Sequence, residues 1–203
     1  MITKLWTAAC LVLALAGAAH AETAPDALVK RISTEVIDTA KTDKAIQAGD
    51  VNKIIALVDA KVMPSVNFEV MTRSAVGPKW REATAEQRGK LQAEFKTLLV
   101  RVYSGALTQI KDQTVEITKT QAVPQSTQMV VQSEVRGKGE PIKLDYRLDK
   151  FGDDWKIIDV NVGGIWLVTS YRSQFAQEIS AGGIDGLIAK LVERNARPAA
   201  GKS

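Results

Sequence analysis

The fold of this 203-residue chain is decided by its stretch 142–162, IKLDYRLDKFGDDWKIIDVNV. From 142 to 149 apolar side chains alternate with charged ones, which is the period of a strand that buries one face. Residues 151–154, FGDD, indicate a hairpin turn, and the apolar run after it indicates the next strand. The apolar phase of that second strand shifts between Ile157 and Ile158, which favours a bulge or burial on both faces. The stretch therefore predicts an antiparallel hairpin.

Two weaker alternating patterns precede this hairpin and supply two more strands. Val115 and Ile117 alternate with polar residues, and so do Met129, Val131 and Val135. Helical periodicity precedes the first of these strands and resumes after the hairpin. Segregated runs of helices, strands and helices are typical of the α+β class. The sequence thus predicts a four-stranded antiparallel sheet packed against several helices.

Apolar residues recur at helical spacing before the strands. Helices are predicted to begin at Pro25 and at Asp50, which is a suitable N-cap. A short helix is predicted over 66–76, and a long one over 85–107 follows the capping-box sequence of 84–87. These segments supply most of the apolar surface that must cover the sheet.

After the strands, the sequence carries more apolar surface than a simple core needs. A helix is predicted from Ile165, directly after Gly163-Gly164, and Gly182-Gly183 separates it from a last amphipathic helix. Its first turn, 165–168 (IWLV), is apolar on all sides. Such a helix start is either buried between layers or borders an apolar ligand. Core packing and an interior lipid or ligand cavity both remain open at this point.

The segment 1–21 has the layout of a secretory signal peptide. Lys4 precedes an apolar run that ends at Ala19-His20-Ala21, and cleavage is expected before Glu22. The run is too short to span a bilayer comfortably. Residues 22–195 are then predicted to form a single domain, and 196–203 a disordered C-terminal tail. Export predicts a location outside the cytoplasm.

The predicted leader holds both the single Cys and the single His of the chain. The chain after it therefore offers no disulfide, no Cys or His ligand for zinc, and no histidine base for a catalytic triad. Loss of Lys4 lowers the formal net charge from +4 to +3, and basic and acidic residues are mixed along the chain. This distribution does not indicate a nucleic-acid partner, and no metal site is predicted.

Asp, Glu, Lys and Tyr remain as acid–base candidates. Asp159 lies in a strand of strong β-formers, and a salt bridge to Arg147 on the neighbouring strand would explain it structurally. An enzyme of another class, an isomerase on a cone-shaped α+β fold, could instead pair Asp159 with Tyr146 or Tyr171. A third possibility is an interaction module without a cavity. A carrier needs a uniformly apolar cavity, whereas an enzyme needs converging polar groups.

Two long stretches of the chain resemble a known family. They are 70–107 (VMTRSAVGPKWREATAEQRGKLQAEFKTLLVRVYSGAL) and 144–191, with LDYRLDKFGDDWKIIDVNVGGIWLVTSYRSQF followed by GIDGLIAKL. Within them, the Trp80-Arg81 block, Tyr146-Arg147-Leu148 and Tyr171-Arg172-Ser173-Gln174-Phe175 are similar in order and spacing to the MlaC family, also called toluene-tolerance proteins. The resemblance covers nearly all of the chain after the leader.

The resemblance implies a periplasmic phospholipid carrier without a cofactor or catalytic activity. It implies a deep apolar pocket between a twisted antiparallel sheet and packed helices. The implied partners are an outer-membrane lipoprotein–porin complex and an inner-membrane ABC transporter with a hexameric lipid-binding subunit, and the implied role is maintenance of outer-membrane lipid asymmetry. A hopanoid-associated branch of the family is the alternative.

Helix and strand phase, taken with this resemblance, predict which side chains face the lipid. The candidates are Val70, Met71, Trp80, Phe95, Leu98, Leu99, Val102, Tyr103, Ile142, Leu144, Tyr146, Leu148, Ile165, Trp166, Val168, Tyr171 and Phe175. Basic side chains beside these apolar blocks are candidates for contact with a phosphate head group. They are Arg73, Lys79, Arg81 and Arg172.

Overall fold

The computed structural model describes residues 24–197, and its strands follow one another as a meander. The strands are β1 (Thr114–Ala122), β2 (Met129–Arg136), β3 (Ile142–Phe151), β4 (Asp154–Val162) and β5 (Ile165–Trp166). Each strand is antiparallel to its neighbour, in the order β1-β2-β3-β4-β5. The predicted signal peptide and residues 198–203 of the predicted tail lie outside the described residues. The α+β class is confirmed, but the sheet has five strands and the prediction of four is wrong.

The fifth strand arises at the Gly163-Gly164 turn. Both glycines have positive φ, 58° and 93°, which lets a two-residue turn pair Val162 with Ile165. Ile165 and Trp166 are therefore a short strand, and the helix predicted from Ile165 begins at Leu167 instead. The apolar residues of 165–168 belong to two elements, which resolves their unusual periodicity.

The β3–β4 hairpin has the predicted turn and the predicted irregularity. Phe151 pairs with Asp154 across a two-residue turn in which Gly152 has a φ of 63°. The register shifts where Leu148 pairs with Ile157, so that Ile158 is the extra residue of the bulge. The bulge lets both isoleucines be buried although they are neighbours in sequence.

Six α-helices flank the sheet within the described residues. They are α1 (Pro25–Thr42), α2 (Lys44–Gln47), α3 (Val51–Leu57), α4 (Phe68–Val76), α5 (Ala85–Leu107) and α6 (Leu167–Ala196). Thr84 and Gln87 form the predicted capping box of α5. Gly183, with φ 66° and ψ −164°, kinks α6 at the predicted break. None of the helices within 24–197 is long and apolar enough to cross a membrane.

The helix predicted from Asp50 changes its geometry halfway. Asp50 caps α3 through its side chain, as predicted. After Leu57 the chain continues as a π-helical turn, Val58–Val62, and then as a 3₁₀ turn, Met63–Ser65. π-Helical turns are rare and often occur at functional sites. Val66 then makes a parallel bridge to Ile157, which joins this segment to the sheet.

The buried apolar residues form three clusters. The helical cluster joins α4, α5 and α6 around Phe95 and Phe175. The α1–α5 cluster lies between the first helices, α5 and β1, and the sheet cluster packs α1 against β2, β3 and β4. An uninterrupted core would normally form one cluster in a domain of this size. Val66 and Val160 pack against both the helical and the sheet cluster, and Val36 against both the sheet and the α1–α5 cluster, so partly buried residues link the three.

Candidate functional site

A cavity of about 480 Å³ lies where the three clusters meet. Most of the side chains that line it are aliphatic, Met or Phe; the exceptions are Ser33, Lys96, Tyr103, Ser104, Gln109, Gln113 and Tyr146. Its volume falls within the range of about 300–1,000 Å³ that is usual for small-molecule sites. An apolar cavity of this size is held open by the packing around it and offers a dry enclosure to an apolar ligand.

Helices form the larger part of the cavity wall. Helix α1 lies across the sheet and turns its apolar face inward, and the second half of α5 forms the opposite wall. The α1 residues are Val29, Ile32, Ser33, Val36 and Ile37; those from α5 are Lys96, Leu99, Val100, Tyr103, Ser104, Ala106 and Leu107. Amphipathic periodicity gives each helix such an inward stripe. The wall is closed by the chain between these helices, including Val58 and Val62 of the π turn.

The sheet closes the cavity with one face. Strand alternation brings one set of side chains from β2, β3 and β4 to that face. These side chains are Val135, Ile142, Leu144, Tyr146, Ile157, Val160 and Val162. The pairing of Tyr146 with Val160 and of Leu144 with Val162 gives the wall its continuous apolar surface.

Two phenols border the cavity without forming a reactive pair. The hydroxyl of Tyr146 lies 3.4 Å from Ser33 Oγ on α1, so it links the helix to the sheet. Burial raises the pKa of Tyr146, although hydrogen bonds from Ser33 and Ser133 act in the opposite direction. Burial also raises the pKa of Tyr103. Both phenols therefore stay protonated at neutral pH and act as polar points in an apolar wall.

Lys96 is the one charged side chain among the described residues that line the cavity. Its Nζ donates to Asp59 Oδ1 at 2.6 Å, and both side chains keep contact with solvent. Asp59 belongs to the π turn, and Lys61 of the same turn pairs with Glu35 on α1 at 3.2 Å. The π turn is thus joined by ion pairs to helices on both of its sides.

Asp159 lies on the other face of the sheet from the cavity. Its Oδ1 accepts the backbone N–H groups of Val160 at 2.8 Å and Val168 at 3.0 Å. Val168 is the second residue of α6, so Asp159 caps that helix from a neighbouring strand, in place of Trp166 at the N-cap. Burial is the main cause that raises the pKa of Asp159. Asp159 therefore serves as the cap of helix α6 in this structure.

The predicted partner of Asp159 is also placed differently. Arg147 pairs with Asp159 in the strand register, but no ion pair within 4 Å joins them in the described chain, so the predicted salt bridge is wrong. Its guanidinium instead lies 4.6 Å from the centre of the Trp166 ring. Tyr146 faces the cavity and Tyr171 lies in the helical cluster. Asp159, Tyr146 and Tyr171 therefore lie in three separate places and do not form the alternative Asp–Tyr site.

The structure brings six of the predicted lipid-facing residues together at the cavity. They are Met71, Leu99, Tyr103, Ile142, Leu144 and Tyr146. Another six pack in the helical cluster, away from the lining: Trp80, Phe95, Leu98, Val168, Tyr171 and Phe175. Leu148 belongs to the sheet cluster and Val70 is half-buried on α4. Val102 and Ile165 are exposed, and Trp166 is half-buried beneath Arg147.

None of the four predicted head-group residues lines the cavity. Arg172 donates from Nε to Ser74 O at 2.8 Å, and Lys79 pairs with Glu82 at 2.8 Å. Arg73 and Arg81 are exposed. A contact between these side chains and a head group stays a prediction.

Sequence reasoning missed the α1 wall and Lys96. The stripe of Val29, Ile32 and Val36 was visible as an amphipathic face, but nothing in the sequence indicates that it covers a void. Lys96 follows the buried Phe95 and is indistinguishable in sequence from a solvated helix residue. No group of three or more Asp, Glu, His or Cys side chains within 24–197 could hold a metal ion.

Comparisons with known proteins agree on one family. A family model described as "MlaC protein" matches residues 30–193. The chain is 26% identical over 162 residues to the toluene tolerance protein ttg2D of Pseudomonas putida, covering 79% of this chain and 75% of that one. It is 23% identical over 184 residues to the intermembrane phospholipid transport system binding protein MlaC of Haemophilus influenzae, covering 89% and 86%.

A solved structure is more similar still. The phospholipid-binding protein from Ralstonia solanacearum, solved in complex with a phospholipid, is 41% identical in sequence. The match covers 87% of this chain and 98% of that one, with a TM-score of 0.81. The helices and sheet that surround the cavity therefore have a counterpart in a protein whose structure contains a phospholipid.

Proposed function

The chain belongs to the MlaC family, and from this premise we propose that it binds a phospholipid, with the acyl chains in the cavity between α1, α5 and the sheet. The observation that carries the proposal is the predominantly aliphatic character of the cavity wall, in which polar side chains are a minority. Similarity to the phospholipid-bound Ralstonia protein supports the same ligand class. A binding function that leaves its cargo chemically unchanged suits a wall without converging reactive groups.

The energetics of lipid transfer explain why such an enclosure is needed. Each methylene gains about 0.8 kcal/mol from leaving water, so a two-chain lipid of about 30 methylenes gains roughly 24 kcal/mol from remaining in a bilayer. A carrier must replace most of that free energy with its own apolar surface. The apolar side chains that line the cavity supply this surface.

We further propose that the protein carries phospholipid through the periplasm between the two membranes. The signal-peptide pattern of residues 1–21 and the similarity to the Haemophilus intermembrane phospholipid transport system binding protein support this role. Its partners would be the inner-membrane ABC transporter with its hexameric lipid-binding subunit and the outer-membrane lipoprotein–porin complex. Maintenance of outer-membrane lipid asymmetry would be the physiological result.

The lipid contacts are proposed from the residues that line the cavity. The six predicted residues found there would contact acyl chains, together with Val29, Ile32 and Val36 of α1. Phe95 and Phe175 would act indirectly, because they hold α5 and α6 together beside the cavity.

The proposal is tested by purifying the protein without delipidation and extracting it with organic solvent. Mass spectrometry of the extract is expected to find phospholipid at close to one molecule per chain. Val36→Trp should reduce that amount strongly, because the indole would occupy the cavity that Val36 lines.

Val192→Trp is the matched control, because Val192 is 46% exposed on α6 and does not line the cavity. It should retain the wild-type amount of lipid. A wild-type extract without phospholipid would contradict the proposed function. A hopanoid in the extract would instead support the alternative branch of the family.

A further inference from the structure

The Lys96–Asp59 pair is one place where solvent reaches the wall of the apolar cavity. Lys96 lines the cavity, yet its side chain is 26% exposed and that of Asp59 is 45% exposed. A lipid whose chains fill the cavity must leave its charged groups at such a boundary, because an unpaired charge in an apolar interior is very costly. Lys96 is the single charge that the described lining offers to a phosphate.

The π turn that carries Asp59 is fixed against its neighbours. Asp59 lies in the π turn Val58–Val62, whose Val58 and Val62 face the cavity. Lys61 anchors the same turn to Glu35 on α1, at 3.2 Å. The carboxylate of Asp59 is therefore a positioned group between two helices and does not belong to a free loop.

The geometry points to a head-group subsite at Lys96 and Asp59 that favours a zwitterionic aminophospholipid over an anionic phospholipid; this inference rests on the proposed function. The Nζ of Lys96 and the Oδ1 of Asp59 are 2.6 Å apart and carry opposite charges. A head group with a phosphate and a nearby ammonium can exchange partners with this pair, phosphate to Lys96 and ammonium to Asp59. An anionic head group satisfies Lys96 alone and leaves Asp59 repelling it.

Substitutions of the two residues should affect lipid selectivity differently. Asp59→Asn removes both the partner of the ammonium and the repulsion of the anionic lipid, so the preference should fall. Lys96→Met removes a contact that both lipids share and leaves the Asp59 charge unneutralised, so the total amount of bound lipid should fall while the preference is kept or rises.

The experiment loads lipid-free protein from vesicles that contain equal amounts of phosphatidylethanolamine and phosphatidylglycerol. Mass spectrometry then gives the ratio of the two lipids bound. The wild-type protein should be enriched in phosphatidylethanolamine. Asp59→Asn should lower that enrichment by a factor between about 1.4 and about 5, the range expected for a partly exposed charge pair.

Glu86→Gln is the matched control, because Glu86 forms a 2.7 Å ion pair with Lys90 on α5 away from the cavity. It should keep the wild-type ratio. Equal ratios in wild type and Asp59→Asn, both carrying lipid, would overturn the subsite and leave the proposed function intact. Wild-type protein that takes up neither lipid would overturn both.

Discussion

The two halves of helix α5 both carry inward-facing apolar side chains, but these side chains contact different surroundings. In its first half Phe95 is fully buried, and the rings of Phe68, Tyr171 and Phe175 lie 5.0–5.6 Å from its centre. In its second half, from Leu99 onward, apolar side chains face the cavity. Densely packed aromatic rings and the cavity thus lie side by side along one helix. Substitutions in the packed and the cavity-lining regions test that division.

The largest expected change in unfolding free energy distinguishes the two halves of α5. Phe95→Ala should lower the free energy of unfolding by about 3–5 kcal/mol, because it removes a ring from a filled site. Leu99→Ala, one turn further along α5, should cost less than about 2 kcal/mol, because a side chain that borders a cavity has fewer contacts to lose. Urea unfolding of lipid-free protein measures both values. Equal losses would mean that the cavity is closed in solution.

A smaller loss of unfolding free energy is expected when the Asp159 cap of α6 is removed. Asp159→Ala leaves the N–H groups of Val160 and Val168 without their acceptor and should cost about 1–3 kcal/mol. Asp159→Asn should cost less, because its amide oxygen can still accept both bonds. Hydrogen exchange at Val168 reports on the cap directly. Unchanged exchange in the alanine variant would show that another group caps α6.

The smallest effect concerns the charge of the same residue. Burial raises the pKa of Asp159 in the folded protein, so the folded state binds the proton more tightly than the unfolded chain does. The stability that this group contributes is greatest below both pKa values and falls as the pH rises through them. From about pH 7 to about pH 4, the wild type should therefore gain stability relative to Asp159→Asn.

Comparison of the two proteins by urea unfolding at each pH cancels the titration of all other groups. A difference between them that does not change with pH would contradict the raised pKa of Asp159. If the wild type instead lost stability relative to Asp159→Asn as the pH fell, the folded protein would favour the charged carboxylate.

Local patterns were sufficient where the cause of structure is local. The alternation of 142–149, the Phe151–Asp154 turn and the capping box at Thr84 each depend on neighbours within a few residues. Gly163-Gly164 carried a further local signal. Two glycines between apolar runs favour a tight hairpin, and this pattern could have predicted β5.

The site residues were harder to predict because periodicity identifies a buried face but not what the face meets. Phe95 and Leu99 lie one turn apart on the inward side of α5, and sequence reasoning assigned both to the lipid. The structure packs Phe95 among aromatic rings and leaves Leu99 beside the cavity. The difference depends on where α6 and α1 lie, and both are distant in sequence.

The sequence by itself determined the α+β class, the main strands and helices, the family resemblance and the absence of Cys and His after residue 21. Tertiary structure alone decided that a cavity remains among the three clusters, that Lys96 pairs with Asp59 at the cavity wall, and that Asp159 caps α6. Secondary structure follows from contacts within a few residues, whereas a void is defined by the elements that surround it. Those elements come from α1 to α6, and only the folded chain brings them together.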